Sequence, residues 1–111
     1  MKQDLLPELR EHAVFGPLMP HATQVLATIT NKTAVPVHAT WSLVPVRDGQ
    51  LPLVRLTLKD DAVEYVAALD TKHLSHDDLL RDELNWIWGG FLEQRSRRQL
   101  DRLKQLVMAE D

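Results

Sequence analysis

Three rhythms of apolar and polar residues follow one another along this chain. The first is short and helical. Leu6, Leu9 and Ala13 form a narrow apolar stripe over Leu5 to Val14. Asp4 is placed as an N-cap, and Pro7 falls in the first turn, where its missing N–H does no harm. Gly16-Pro17 stops this N-terminal helix, within residues 1–15, and Pro20 keeps the following linker extended. From Thr23 the period changes to two. Val25, Ala27 and Ile29 alternate with Leu26, Thr28 and Thr30, which reads as a strand. "NKTAVP" then turns the chain, and "VHATWSLVPV" and "LPLVRLTLK" form a hairpin around "RDGQ".

Parity fixes the hairpin register. With Val46 facing Leu51, Leu43 faces Val54, Trp41 faces Leu56 and Ala39 faces Leu58, all on one apolar side. Ser42 with Arg55 and Thr40 with Thr57 fall on the side that suits water. A one-residue slip would destroy this match. The same register sets Pro45 opposite Pro52. Neither can donate to the ladder, which favours a four-residue loop, Arg47 to Gln50, over a two-residue Asp-Gly turn.

"DDAVEYVAALD" fits two readings. As a strand, Val63, Tyr65, Ala67 and Leu69 share a face. As a helix, Asp61 and Glu64 make a capping box. The valine and tyrosine content tips it towards a strand that completes a four-stranded meander, giving an antiparallel sheet within residues 23–69.

The third rhythm is a long helical region over residues 75–107. Ser75 is its expected N-cap, Asp78 reaches back from the third position, and Asp77 and Asp78 suit the positive helix end. Unbroken, it would run roughly 48 Å. At 100° per residue, Leu80, Leu84, Ile87, Trp88 and Phe91 form one apolar stripe. Leu92, Leu100, Leu103, Leu106 and Val107 form a second, rotated by roughly 110°. Gly89-Gly90 lies at the changeover. Each glycine costs about 1 kcal/mol against alanine inside a helix. Something must compensate, and a kink or interruption is the favoured reading. The alternative is a straight helix whose second stripe meets another surface, most simply a second copy. On a straight helix Arg95, Arg98 and Arg102 continue the line of the first stripe.

Composition adds limits. A chain of 111 residues, 44% hydrophobic and 26% charged, suggests one ordinary globular domain. It contains no cysteine, which excludes disulfides and thiolate metal sites. "MKQDLLPELREHA" is too charged for a signal peptide, and no apolar run approaches the length of a membrane span. A cytoplasmic protein is expected. The net charge of −3 argues against generic DNA coating, but its distribution is uneven. Asp60 to Glu83 holds eight acids and two bases, a net of −6, whereas Leu84 to Val107 holds two acids and five bases, a net of +3. The two segments can attract each other within one molecule or between two.

Few residue groups carry chemistry. His73, His76 and Asp77 form an H-x-x-H-D cluster, whose imidazoles and carboxylate suit a divalent ion, though the same residues also fit a solvated first helical turn. Asp60, Asp61 and Glu64 offer oxygens to a hard cation, without the glycine-bearing loop of a calcium site. His38, Thr40 and Ser42 share a strand face, yet Ser42 and His38 lie about 13 Å apart along it, too far to form a dyad. Asn31-Lys32-Thr33 matches a glycosylation sequon by chance in a chain with no export signal. No phosphate-binding glycine motif occurs, so no nucleotide cofactor is expected.

The basic ridge of Arg95, Arg98 and Arg102, flanked by Arg97 and Lys104, is the best functional candidate. Arginine forks suit phosphates and carboxylates. The ridge also reads as a solvated helix face, or as arginines paired with the protein's own acids. Trp88 sits on the first stripe and is expected in the core. Trp86 lies away from it and is expected exposed, as interface anchors are.

Together these readings predict an α+β domain. A three- or four-stranded antiparallel meander is packed by a short N-terminal helix and a long, kinked or interrupted C-terminal one. The expected function is non-enzymatic: a small protein-interaction module of the chaperone, inhibitor, immunity or assembly-subunit kind, homodimeric through the C-terminal helix. No metal or other cofactor is assigned. Trp86, Trp88, Arg95, Arg97, Arg98, Arg102 and Leu103 are the expected partner-binding residues. An acidic protein is a second partner class. Nucleic-acid binding through the basic helix is the alternative, and a metal-binding or enzymatic domain around His73 and His76 the next.

Overall fold

A computed structural model describes residues 1–31, 35–45, 49–50 and 52–109. The fold is α+β. Four strands, β1 (Lys2–Leu5), β2 (His38–Val44), β3 (Leu53–Lys59) and β4 (Glu64–Leu69), form one sheet in the order β1-β2-β3-β4. The last three make the expected antiparallel meander, but β1 runs parallel to β2, so the sheet is mixed. Helix α1 (Pro7–Arg10), a 3₁₀ turn at Gly16–Leu18 and helix α2 (Met19–Thr30) link β1 to β2. Helices α3 (Thr71–Ser75) and α4 (Asp77–Ala109) follow β4.

The hairpin register is as parity predicts. Ala39 pairs with Leu58, Trp41 with Leu56 and Leu43 with Val54, while Thr40 faces Thr57 and Ser42 faces Arg55. Pro45 and Pro52 sit one step beyond the last pair, Val44 with Leu53. The expected Val46–Leu51 pair, with Arg47 and Asp48 of the loop, lies outside the described residues. Gly49 in that connection has φ +86°, a left-handed conformation that favours glycine. The strand reading of residues 64–69 also holds: Leu69 is buried, and Tyr65 and Ala67 pack against the core on the same face.

Two N-terminal expectations are corrected. The segment read as one helix from Leu5 to Val14 is a strand, the single turn α1 and a bend. Inward-facing Gln3 explains why the chain begins extended. Its Oε1 accepts the indole N–H of fully buried Trp41 at 2.8 Å, and its Nε2 donates to the Thr23 carbonyl at 2.9 Å. A buried indole donor needs such a partner, and β1 delivers it.

The second correction is larger. Residues 23–30, expected as a strand, are the body of α2. Parallel strands cannot be joined by a tight turn and need a crossover, usually helical. The sequence carries the helical period as well: Met19, Ala22, Val25 and Leu26 are buried on one side. Pro20 fits the helix start, and the threonines satisfy their hydroxyls within the helix, Thr28 to Gln24 O at 3.0 Å and Thr30 to Leu26 O at 2.9 Å.

The core lies between the sheet's inner face and the helices. Ala39, Trp41, Val54, Leu56, Leu58 and Leu69 meet Leu9, Phe15, Met19, Leu26, Leu80, Leu84, Ile87 and Phe91. The expected interruption at Gly89-Gly90 does not occur: α4 runs unbroken for 33 residues. The N-terminal start of this region also differs. Asp70, not Ser75, is the capping side chain, accepting from the His73 N–H at 2.9 Å to start α3. His76 is extended between the two helices, and α4 begins at Asp77.

A 33-residue helix spans about 50 Å, more than the sheet can cover. The radius of gyration is 16.3 Å, against about 13 Å for a compact chain of this length. The long dimension is 59 Å.

Candidate interaction surface on the C-terminal helix

The first stripe of α4 is the core stripe. Leu80, Leu84, Ile87 and Phe91 are buried, and so is Trp88, whose ring stacks on Phe91 with centroids 5.5 Å apart. Of the residues predicted at an interface, Trp88 is therefore in the interior.

The paired glycines have different surroundings. At Gly90 a Cβ would come within 2.5 Å of the Tyr65 hydroxyl oxygen, so the missing side chain makes room for the ring on β4. At Gly89 nothing lies within 4 Å, and the residue faces outward.

Arg95 is where α4 leaves the body. Its Nε donates to Asp60 Oδ2 at 2.8 Å. Only 2% of the Asp60 side chain is exposed. The other carboxylate oxygen accepts the N–H groups of Ala62 and Val63 at 2.8 and 2.7 Å, closing the turn between β3 and β4. Desolvation pushes the Asp60 carboxyl up. The two backbone N–H groups and the Arg95 guanidinium outweigh it and hold the carboxyl below its ordinary value. Arg95 is thus a structural clamp. Sequence reasoning took Asp60 itself for a solvated turn or a cation ligand, but it also offered pairing of the ridge arginines with the protein's own acidic segment, and Arg95 with Asp60, 35 residues away, is such a pair.

Past Arg95 every residue from Ser96 to Met108 is exposed. Leu100, Leu103, Leu106 and Val107 are 56–65% exposed and make up most of the displaced second stripe. Leu92, at its base, packs against the core. Arg97 pairs with Glu93 at 2.6 Å on the surface. Arg98, Arg102 and Lys104 form no ion pair among the described residues, nor do Asp78 and Asp82 at the other end of α4. Trp86 is 76% exposed, the expectation for an anchor rather than a core residue.

The histidine cluster is dispersed among separate partners. His73 Nδ1 lies 2.7 Å from Asp70 Oδ1, and its Nε2 lies 3.8 Å from Glu83. His76 turns back to the Lys72 carbonyl through Nδ1, at 3.1 Å. Asp77 takes His21 of α2 at 2.7 Å and Arg81 at 2.8 Å. The Arg81 bond, then the His21 bond, holds the Asp77 carboxyl below its ordinary value. No group of three or more metal-ligating side chains converges among the described residues. On the outer sheet face His38 Nε2 meets Asp4 Oδ2 at 2.5 Å, a cross-strand pair in the open.

No helix among the described residues is long and apolar enough to cross a membrane. Comparison with known protein families, with curated proteins and with solved structures finds no match.

Proposed function

We propose that this protein is a non-enzymatic interaction module that associates with itself through the protruding half of α4. One observation carries the reading: four large aliphatic side chains, Leu100, Leu103, Leu106 and Val107, stand in water on one side of a helix that the rest of the fold does not touch. Such a stripe exposes apolar area that association would bury at about 25 cal/mol per Å². A helix of this length without tertiary support is marginal in water. A partner surface answers both costs. The homodimer is the simplest form, and chaperone, inhibitor, immunity and assembly roles all build on such an interface.

Light scattering tests this. The wild-type chain is expected to scatter as a dimer of the 12.7 kDa protomer. Leu103→Asp sets a charge in the stripe and is expected to weaken association at least tenfold, about 1.4 kcal/mol, with unchanged circular dichroism in the body. A strict monomer at high protein concentration contradicts the reading.

A second reading, nucleic-acid binding, draws support from Arg98, Arg102 and Lys104, which have no acid partner among the described residues. With Arg95 committed to Asp60, the ridge is shorter than its sequence suggests. Salt-dependent binding of a labelled oligonucleotide is its expected signature, and no binding at low salt excludes it.

A further inference from the structure

We infer that β4 is an open edge that docks the β4 of a second copy, the two strands pairing antiparallel about Val66. This surface is separate from the α4 stripe and goes beyond the association proposed above. Bonds elsewhere in the sheet fix which way the β4 backbone groups point. Asp60 N–H donates to the Val63 carbonyl at 3.0 Å across the β3–β4 turn. Hydrogen-bonded and non-bonded pairs alternate in an antiparallel ladder. Leu58–Tyr65, Leu56–Ala67 and Val54–Leu69 are therefore the bonded pairs. Glu64, Val66 and Ala68 turn their N–H and C=O groups to the free edge. The other side of the sheet agrees. Leu6 N–H reaches the Trp41 carbonyl at 3.0 Å, which makes Thr40–Thr57 a bonded pair and Thr57–Val66 a non-bonded one. Glu64, Val66 and Ala68 are all exposed, Val66 by 54%.

Edge strands are ordinarily blunted by a lysine, a proline, a bulge or shortness. The opposite edge, β1, has four residues and carries Lys2. β4 has six, "EYVAAL", with no lysine or proline and a continuous register against β3.

Only residues 64, 66 and 68 can bond across this edge. Centring on Val66 pairs Glu64 with Ala68 of the second copy, Val66 with Val66 and Ala68 with Glu64, about six backbone bonds. A slip to either neighbouring register keeps only two of the three pairs within the strand. On the outer face the row then runs Arg55, Ala68, Glu64 of the second copy and Lys59 of the second copy. Neither Arg55 nor Glu64 forms an ion pair among the described residues. Neighbouring strands lie about 4.8 Å apart, so the long Arg55 side chain reaches the new carboxylate over the small Ala68. Symmetry makes two such pairs. Parallel pairing brings the two Glu64 carboxylates together instead, and like charges opposed across strands destabilise. A short edge with small side chains buries little apolar area. This pairing is therefore weaker than one through α4, and it joins dimers only at higher concentration.

Leu103→Asp takes the α4 association out of the measurement, and the lack of cysteine makes oxidative cross-linking site-specific. In that background Val66→Cys and Ala68→Cys chains are oxidised separately at high protein concentration. Facing bonded residues stand about 5.5 Å apart at Cα, within disulfide reach, so Val66→Cys is expected to link to itself. Ala68→Cys is expected to link to itself at least tenfold more slowly, because the register separates its two copies by about 14 Å. It is expected to link readily when mixed with Glu64→Cys. Equal self-linking of Val66→Cys and Ala68→Cys overturns the inference, and so does no self-link of Val66→Cys. Neither result bears on the α4 association, which light scattering of the wild type reads separately. Charge reversal gives a second measure. Arg55→Glu is expected to slow Val66→Cys linking roughly threefold or more, and adding Glu64→Arg is expected to restore it. A rate unchanged by Arg55→Glu contradicts the antiparallel register.

Discussion

The two adjacent glycines of α4 are chemically identical and physically opposite. Alanine at Gly89 meets nothing within 4 Å, so it gains helix propensity without a clash. Gly89→Ala is expected to stabilise the dilute monomer by about 1 kcal/mol in urea denaturation. Alanine at Gly90 meets the Tyr65 hydroxyl oxygen at 2.5 Å and Cζ at 2.8 Å. The ring must swing out of its place on β4, which offsets the same gain. Gly90→Ala is expected to fall at least about 1 kcal/mol below Gly89→Ala; equal effects would contradict this account. The sequence marked both glycines as costly and placed them at the changeover of the two stripes. It held no sign that one makes room for a tyrosine 25 residues earlier. Exposure of Trp86 and burial of Trp88, by contrast, were readable from the helical wheel, because they depend only on angle about one axis.

At the level of elements, what could be read followed how local the deciding contact was. The β2–β3 register came through because facing residues alternate cleanly and a slip would bury Arg55. α2 did not, because its β-branched residues satisfy either period and the deciding fact is the parallel pairing of β1 with β2. Nothing in "KQDL" announces that pairing. The tie between the β3–β4 turn and α4, Asp60 with Arg95, is likewise long-range. Asp60→Asn keeps an oxygen for the turn N–H groups but removes the charge facing Arg95. It is expected to cost about 2 kcal/mol at neutral pH in chemical denaturation. The folded carboxyl titrates below its ordinary value of 3.8. Its stabilisation is therefore complete above that value and fades as pH falls through the lower folded one. The gap between wild type and Asp60→Asn should close below about pH 4. A gap that persists unchanged into acid would mean the carboxylate charge contributes nothing.

For the whole molecule, the shape follows from a mismatch of lengths. The sheet and α2 cover α4 as far as Phe91, and Arg95 clamps it to the β3–β4 turn. The helix then carries an apolar stripe past the body. The sequence offered a bent helix or a straight one with a partner, and the glycines weighed towards the bend. The continuous helix leaves the stripe bare, and that is the ground for proposing a second copy. Amide hydrogen exchange over residues 96–108 tests this most directly. A protruding helix without a partner frays, whereas one packed against another copy is protected in proportion to the fraction associated. The account predicts protection that rises with protein concentration in the wild type and is lost in Leu103→Asp. Rapid exchange of this segment at every concentration, indifferent to that substitution, would contradict it.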